Sequence, residues 1–209
     1  MSKTIYFVRH GQTQWNVLER MQGQWNSDLN ELGRRQARQS GRLLGGLGIQ
    51  ALYSSPLDRA RQTAGIIGQY VDLPVRYDER ILEWDCGEWS GHLRADVMEC
   101  WPEEWAALLA DTFHYRPPGG ENYADLFERA RPFVDEVSGL ELSCVAVVSH
   151  GMIGKVMVAL LMGLDEDETL AIYQPNDVVF RVSIREEGAE VHHYRGGAGP
   201  WEGLMGLEG

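Results

Sequence analysis

Short apolar runs, rich in β-branched and aromatic residues, alternate along this chain with longer segments of helical periodicity. A continuous apolar run of about four to eight residues is typical of a strand buried on both faces of a parallel sheet. Strand-like runs occur at residues 4–8, 51–55, 75–77 and 145–148. Helical patterns occur at residues 31–44, 57–70, 123–137 and 152–162. The alternation predicts an α/β protein with three layers (α/β/α) and a mostly parallel sheet.

Two further patterns modify this plan. Residues 178–185 alternate between apolar and polar side chains, and residues 191–194 follow a Glu187-Gly188 turn, which predicts an antiparallel hairpin at one edge of the sheet. Residues from about 92 to 118 carry aromatic side chains at helical spacing and lead into a Pro-Pro-Gly-Gly break, so we predict a helical lid insert.

The domain organisation follows from these elements. We assign residues 1–195 to a single α/β domain. Residues 196–209 are rich in glycine and are predicted to form a mobile tail, although Trp201, Leu204, Met205 and Leu207 are able to dock on the domain.

Charge and cysteine content restrict the partners. The 209 residues carry a formal net charge of −12, so the surface as a whole should repel nucleic acid and anionic membranes. No apolar run reaches the roughly 18 residues of a membrane span, and no signal peptide is visible. Cys86, Cys100 and Cys144 are odd in number and lack CxxC spacing, which argues against a disulfide framework or a zinc site. We therefore expect a cytoplasmic protein without metal or cofactor. The sequence leaves two oligomeric states as alternatives, a monomer and a homodimer.

Three polar clusters follow predicted strands directly. Arg9-His10-Gly11 follows the first strand, Arg59 lies just beyond the second, and His150-Gly151 follows the strand at residues 145–148. The carboxyl ends of parallel strands meet at one edge of the sheet, where α/β folds bind their ligands. We therefore expect two histidines and two arginines to face one crevice.

This set of side chains suits phosphoryl transfer. Arg9 and Arg59 are able to bind phosphate oxygens bidentately, and their charge disfavours protonation of a nearby imidazole, which is then a competent nucleophile. The leaving alkoxide needs a proton, so a carboxylic acid should stand nearby. Glu83 is the first candidate for that acid, with Asp85 and Glu88 as alternatives.

The order of the motifs resembles the histidine phosphatase (phosphoglycerate mutase-like) superfamily. The residues at 9–16 are similar to the family's RHG(E/Q)TxWN signature, those at 54–64 to its Ser-Pro-Leu segment with a following arginine, those at 83–91 to its ExxxGxWEG segment and those at 149–151 to its final Ser-His-Gly. A single tripeptide is weak, but the ordered set is specific, and the resemblance covers roughly residues 3–195.

The resemblance implies roles for individual residues. It implies that His10 accepts the phosphoryl group, that Glu83 donates the proton and that His150 is a catalytic residue that binds the transferring phosphoryl group. It also implies a set of substrate-binding residues, namely Arg9, Asn16, Gly23, Arg59 and Gly151. The chain departs from the family pattern at Ser90, where relatives often have glutamate, and at Asn122, where they often have serine.

The expected activity is hydrolysis of a small phosphorylated metabolite through a phosphohistidine intermediate, without a metal. The alternative is a phosphoglycerate mutase that moves a phosphoryl group between sugar-acid hydroxyls. Bisphosphate-dependent mutases of this family carry a longer insert, whereas residues 117–126 resemble the shorter phosphatase branch. A silent phospholigand-binding module is the third hypothesis, and the presence of a complete set of reacting residues argues against it.

We predict that the insert selects the substrate. Its aromatic residues Trp101, Trp105 and Phe113 would contact the leaving group and exclude water, and its polar residues Arg94, His114 and Arg116 would add contacts. The alternative is that the aromatic side chains only anchor the insert to the core, with specificity residing in the loop at residues 20–28 or in the tail.

Overall fold

One seven-stranded sheet organises residues 2–207, which are the part of the chain that the structure, a computed structural model, describes. Residue 1 and residues 208–209, at the ends of the predicted domain and tail, lie outside the described residues. The strands are β1 (Lys3–Arg9), β2 (Ala51–Ser54), β3 (Val75–Tyr77), β4 (Cys144–Ser149), β5 (Val178–Arg185), β6 (Gly188–Arg195) and β7 (Ala198–Glu202). Their order in the sheet is β3-β2-β4-β1-β5-β6-β7.

Helices cover both faces of this sheet, which confirms the predicted α/β class. They are α1 (Gln14–Val17), α2 (Glu31–Gly45), α3 (Asp58–Val71), α4 (Arg94–Cys100), α5 (Pro102–Ala110), α6 (Tyr123–Gly139), α7 (Gly151–Met162) and α8 (Glu166–Ala171). The insert holds two helices rather than one, because Pro102 occupies the first turn of α5, where its missing N–H is not needed. The sequence patterns did not predict the short helices α1 and α8. In the described part of the chain, no helix is long and apolar enough to cross a membrane.

The pairing of the central strands places the predicted polar clusters side by side. β1 and β4 pair in parallel with Arg9 level with Ser149, and β2 pairs with β4 with Ser54 level with Val148. Beyond the last pairs, the His10 amide donates to the Ser149 carbonyl at 2.9 Å. The three strands therefore end together at one edge of the sheet.

The other half of the sheet is antiparallel. β5 pairs with β1 and with β6, which confirms the predicted antiparallel hairpin, although β7 rather than the hairpin forms the edge of the sheet. The segment predicted as a mobile tail instead adds β7 to the open edge of β6, and Leu204 beyond it is buried in the core at 5% exposure. Pairing of the β6 backbone and burial of Leu204 together favour an ordered segment over a mobile one.

Two glycines allow the loop after β1 to pass directly against α2. A Cβ atom added at Gly11 would lie 2.3 Å from the Gly33 carbonyl oxygen, and one added at Gly33 would lie 2.1 Å from the Gln12 carbonyl oxygen. Both contacts are with backbone, which cannot rotate away as a side chain can. The close approach therefore fixes the position of the loop that follows His10.

We expect Gly33→Ala to lower the free energy of unfolding by about 1–3 kcal/mol, because the new methyl group overpacks against backbone. The matched control is Gly65→Ala in α3, an exposed helical position where an added Cβ meets nothing within 4 Å. That change should raise stability by up to about 1 kcal/mol through helix propensity. Urea unfolding of both variants measures the difference, and equal shifts would contradict the close approach.

Candidate active site

A cavity of about 170 Å³ lies at the edge where the parallel strands end. Six residues predicted from the sequence line it, namely Arg9, His10, Asn16, Gly23, Arg59 and Glu83. Six others complete the lining, namely Arg20, Met21, Gln22, Trp84, Cys86 and Met152. A wider groove of about 560 Å³ runs along α6, but the combination of a buried histidine with two arginines belongs to the smaller cavity.

His10 is held as a neutral imidazole with one free nitrogen. Its ring is 2% exposed, and Nδ1 lies 2.8 Å from the Gly11 carbonyl oxygen. The carbonyl accepts only, so Nδ1 carries the proton and Nε2 carries the lone pair. Among residues 2–207, Nε2 has no hydrogen-bond partner. Burial, and then the charges of Arg59 and Arg9, hold the pKa of His10 well below its usual value of 6.5, although the Gly11 contact opposes the shift.

Arg59 is buried at 1% exposure and is fixed from three sides. Its Nε donates to Nδ1 of His150 at 3.2 Å, while Nη1 and Nη2 donate to the carbonyls of Trp25 and Gly23, each at 2.7 Å. Each terminal nitrogen of a guanidinium carries two hydrogens, so one N–H remains on each for a ligand. Burial lowers the pKa of Arg59 to about 10, which leaves the group charged at neutral pH.

Arg9 provides a second cation with an unused donor. Its Nη1 donates to the Gln174 carbonyl at 2.8 Å, whereas its buried Nε has no hydrogen-bond partner in the described part of the chain. Gly151 packs against this guanidinium, and an added Cβ there would lie 3.4 Å from Cζ. A buried donor without a partner is unfavourable, so an acceptor entering the cavity would satisfy it.

His150 lies behind the cavity rather than in its lining. It is fully buried, its ring centroid is 5.2 Å from that of His10, and Nε2 lies 2.8 Å from Ser55 Oγ. Because Nδ1 accepts from Arg59, Nε2 carries the proton and donates to Ser55. Burial and the Arg59 charge lower the pKa of His150 well below its usual range. Both ring nitrogens are therefore engaged, and a phosphoryl oxygen would have to replace Ser55.

Glu83 lies on the cavity wall at the start of α7. Its carboxylate accepts from the backbone amides of Trp84 at 3.0 Å, Met152 at 3.3 Å and Ile153 at 3.2 Å. Of the two alternative acids, neither Asp85 nor Glu88 lines the cavity. Of the three candidate acids, Glu83 is therefore the one that shares the cavity with His10 and the arginines.

Asn16 and Gly23 also line the cavity. The Oδ1 atom of Asn16 accepts from the Thr13 amide at 3.0 Å, which leaves the side-chain amide hydrogens for a ligand. Gly23 has a positive φ of 48°, and an added Cβ would lie 2.6 Å from Sγ of Cys86. Cys86 in turn contacts Ser90 Oγ at 3.3 Å, so Ser90 belongs to the packing behind Gly23.

The insert is helical as predicted, but the residues expected to contact substrate do not line the cavity. Trp105 is 9% exposed, and its ring centroid lies 5.8 Å from that of Trp89. The Arg94 guanidinium lies over the Trp105 ring, 5.2 Å from its centroid. Trp101 and Phe113 pack on the same core. His114 contacts Asp111 and Glu166, and Arg116 pairs with Asp125. The alternative interpretation, in which the aromatic side chains anchor the insert, fits this packing. Likewise, Asn122 caps α6 and donates to the His114 carbonyl.

The cavity is also lined by residues of the loop at 20–28, which the sequence indicated as an alternative source of specificity without giving a role to any of its side chains except Gly23. Arg20, Met21 and Gln22 lie between Asn16 and Gly23, which were both predicted, so their position in that loop was an available signal. The Arg20 guanidinium donates to the Gly91 carbonyl and lies 5.4 Å from the centroid of the Trp15 ring. Met152 follows directly after Gly151. These side chains, rather than those of the insert, complete the lining of the cavity.

No metal centre accompanies this cavity. Within residues 2–207, there is no group of three or more His, Cys, Asp or Glu side chains arranged to hold a metal ion. His192 and His193 are neighbours on β6, where successive side chains point to opposite faces.

The buried neutral histidines predict a loss of stability in acid. An unfolded histidine binds a proton below its usual pKa of 6.5, whereas folded His10 does not until a much lower pH. Stability is therefore present above pH 6.5 and falls as the pH drops below it, by about 1.4 kcal/mol per pH unit for each such histidine. Between about pH 6 and about pH 5, urea unfolding of His10→Gln should show a fall smaller by about that amount than the wild type. An identical fall would contradict a neutral buried His10.

Comparison with known proteins agrees with this geometry. The model of the histidine phosphatase superfamily (branch 1) matches residues 5–196. The chain is 35% identical over 162 residues to phosphoserine phosphatase 1 of Hydrogenobacter thermophilus, covering 77% of each protein. It is 36% identical over 184 residues to a protein of Erwinia tasmaniensis named probable phosphoglycerate mutase GpmB, covering 87% of this chain and 85% of that one.

A solved structure is also similar to this chain in fold and in sequence. The mycobacterial glucosyl-3-phosphoglycerate phosphatase in complex with VO3 has a TM-score of 0.80 and 33% identity, covering 86% of this chain and 92% of that one. With a family model that spans nearly the whole chain and relatives of this identity and coverage, the chain belongs to the histidine phosphatase superfamily.

Proposed function

We propose that this protein hydrolyses small phosphomonoesters through a phosphohistidine formed on His10. The observation that carries the proposal is a neutral imidazole with a free Nε2 in a cavity that it shares with two buried arginines. A phosphate dianion needs positive charge around its oxygens and a nucleophile in line with the leaving oxygen, and this cavity supplies both. The phosphatases among the relatives support the same class of reaction.

The first half of the reaction transfers the phosphoryl group to the protein. The lone pair on Nε2 of His10 forms a bond to phosphorus as the bond from phosphorus to the ester oxygen breaks. The carboxyl group of Glu83 gives a proton to the leaving alkoxide, so that an alcohol departs. The unused N–H groups of Arg9 and Arg59 bind the phosphoryl oxygens, where charge develops.

The second half returns the protein to its starting state. Water attacks the phosphorus of phosphohistidine, and the carboxylate of Glu83 accepts a proton from that water. The N–P bond breaks, inorganic phosphate is released, and His10 recovers its neutral form. Because the arginines supply positive charge, the proposed reaction needs no metal ion.

His150 contributes through Arg59 in this proposal. It accepts from Nε of Arg59 at 3.2 Å and thereby holds the plane of that guanidinium. A direct contact between Nε2 of His150 and a phosphoryl oxygen becomes available when that N–H leaves Ser55.

A phosphoglycerate mutase is the second candidate, and the similarity to proteins with that name favours it. The two activities share the phosphohistidine and differ in the group that attacks it. Water attacks in a phosphatase, whereas a retained hydroxyl of the bound acid attacks in a mutase. The stretch at residues 117–126, which resembles the shorter insert of the phosphatase branch, supports the phosphatase.

The setting of the reaction is also a proposal. Cys100 is an exposed free thiol, which suits a reducing compartment such as the cytoplasm. A net charge of −12 makes a small substrate more suitable than nucleic acid, since only the local arginines attract an anion.

We expect rapid quenching with a ³²P-labelled phosphomonoester to trap an acid-labile, base-stable adduct in the wild type and none in His10→Ala. The reaction is run with excess chelator, in which turnover should persist because the charge comes from Arg9 and Arg59. An adduct that remains in His10→Ala would show that another residue is the nucleophile, and activity that returns only with added metal would overturn metal independence.

A parallel reaction of 3-phosphoglycerate with 2,3-bisphosphoglycerate distinguishes the phosphatase from the mutase, since a mutase gives 2-phosphoglycerate and a phosphatase gives inorganic phosphate.

Glu83→Gln should slow hydrolysis of alkyl phosphates by about 10²–10⁴-fold, because an alkoxide leaves poorly without a proton. It should slow the release of p-nitrophenolate much less, because that anion leaves without one. Asp85→Asn is the control, since Asp85 does not line the cavity. Equal losses on both substrates would make Glu83 a structural residue.

A further inference from the structure

The turn between α8 and β5 is attached to the end of β1 by two amide side chains. Gln174 is 2% exposed, and its Nε2 donates to the Phe7 carbonyl at 3.1 Å and to the Val178 carbonyl at 3.4 Å. Asn176 donates from Nδ2 to the His10 carbonyl at 2.7 Å. The backbone carbonyl of Gln174 accepts from Arg9. One turn thus contacts the strand on both sides of the Arg9-His10 pair.

The contact made by Asn176 lies beyond the last paired residues of β1. The antiparallel pairing of β1 with β5 ends at Val8 and Val179, so the His10 carbonyl has no strand partner on that side. Asn176 supplies the missing donor. On the other half of the same peptide unit, the Gly11 amide donates to Thr63 Oγ1 at 3.1 Å. Both polar groups of the peptide that follows His10 are therefore fixed by side chains.

Gln174 fixes Arg9 in a different way. Its side chain holds the turn so that its own carbonyl meets Nη1 of Arg9 at 2.8 Å. Its Oε1 is buried without a hydrogen-bond partner in the described part of the chain and packs on Gly154, where an added Cβ would lie 3.0 Å away. The residue therefore keeps one unsatisfied polar atom at a buried position, an unfavourable arrangement for a residue that only fills space.

The turn is itself supported from outside. The Tyr173 amide donates to the Met205 carbonyl at 2.8 Å, which joins the turn to the segment after β7. The turn consequently has little freedom to follow β1 if the strand end shifts.

We infer that Gln174 and Asn176 are positioning residues, with Gln174 holding Arg9 for phosphate binding and Asn176 holding His10 for attack on phosphorus. The inference rests on the proposed function, because positioning matters only if His10 reacts. Neither residue lines the cavity, so each acts through the residue that it holds. The two roles predict different kinetic effects. Loss of the Asn176 contact should slow the chemical step, whereas loss of the Gln174 contact should weaken phosphate binding.

The test uses variants that keep side-chain size and lose the N–H donors, namely Asn176→Leu and Gln174→Met. The matched control is Gln50→Ala, which removes an amide that accepts from Ser143 at 2.7 Å and from Cys144 at 3.1 Å at the opposite edge of the sheet. For each protein, stopped-flow release of p-nitrophenol gives the rate of phosphorylation. Calorimetric titration gives the Kd for inorganic phosphate, and thermal unfolding gives Tm.

We expect Asn176→Leu to slow phosphorylation about 10- to 100-fold, the size of effect that a displaced reacting group produces, with the Kd for phosphate within about twofold of wild type. Gln174→Met should raise that Kd about 10-fold, because one guanidinium contact is misplaced. Gln50→Ala should lower Tm without changing either quantity. If Gln174→Met does not fold, Gln174→Leu provides the same measurement, since it also removes the donor and introduces no charge near Arg9.

The outcomes separate the two proposals. If the wild type turns over and both variants match Gln50→Ala in rate and in Kd, the positioning role is wrong and the proposed function stands. If the wild type forms no phosphohistidine, the proposed function is wrong, and an unchanged Kd for phosphate in Gln174→Met then overturns the positioning of Arg9 as well.

Discussion

The level pairing of β1 with β4 is the constraint on which the rest of the site depends. Arg9 stands opposite Ser149 in this ladder, so His10 and His150 leave the sheet at the same height and their rings come within 5.2 Å. A shift of one residue would exchange the faces of the sheet and separate the two rings. The register is fixed because both strands are buried, with Val8 and Val148 at 2% exposure or less.

The same burial sets the chemistry of the cavity. Removing His10 from water disfavours its charged form, and Arg59 and Arg9 add to that effect, so the imidazole keeps a lone pair. Burying two guanidinium groups is unfavourable unless their hydrogen bonds are satisfied. Backbone carbonyls of Gly23, Trp25 and Gln174 accept three of the bonds that the two groups make. The N–H groups that stay unused would be satisfied by the oxygens of a phosphoryl group.

The sequence was least informative about the contacts between distant segments. The aromatic residues of the insert suggested substrate contacts, yet Trp105 lies in the core against Trp89, because burial of a large ring is favoured wherever the fold offers space. The glycine-rich tail suggested mobility, yet it adds a strand to β6 and buries Leu204. Local composition does not report either outcome, since both depend on an edge or a core surface that other segments create.

By itself, the sequence determined the α/β class, most of the longer strands and helices, and the six predicted residues that line the cavity, because buried strands and the polar clusters that follow them leave local patterns. Tertiary structure decided which groups complete the cavity and which hold it in place. Arg20, Met21 and Gln22 carry no pattern of their own, and Gln174 lies 164 residues after His10 in the chain and meets Arg9 only when β5 pairs with β1. Tertiary structure also decided that His150 lies behind the cavity lining, where its two ring nitrogens contact Arg59 and Ser55. Such contacts join residues far apart in the chain, and chain folding alone brings them within hydrogen-bonding distance.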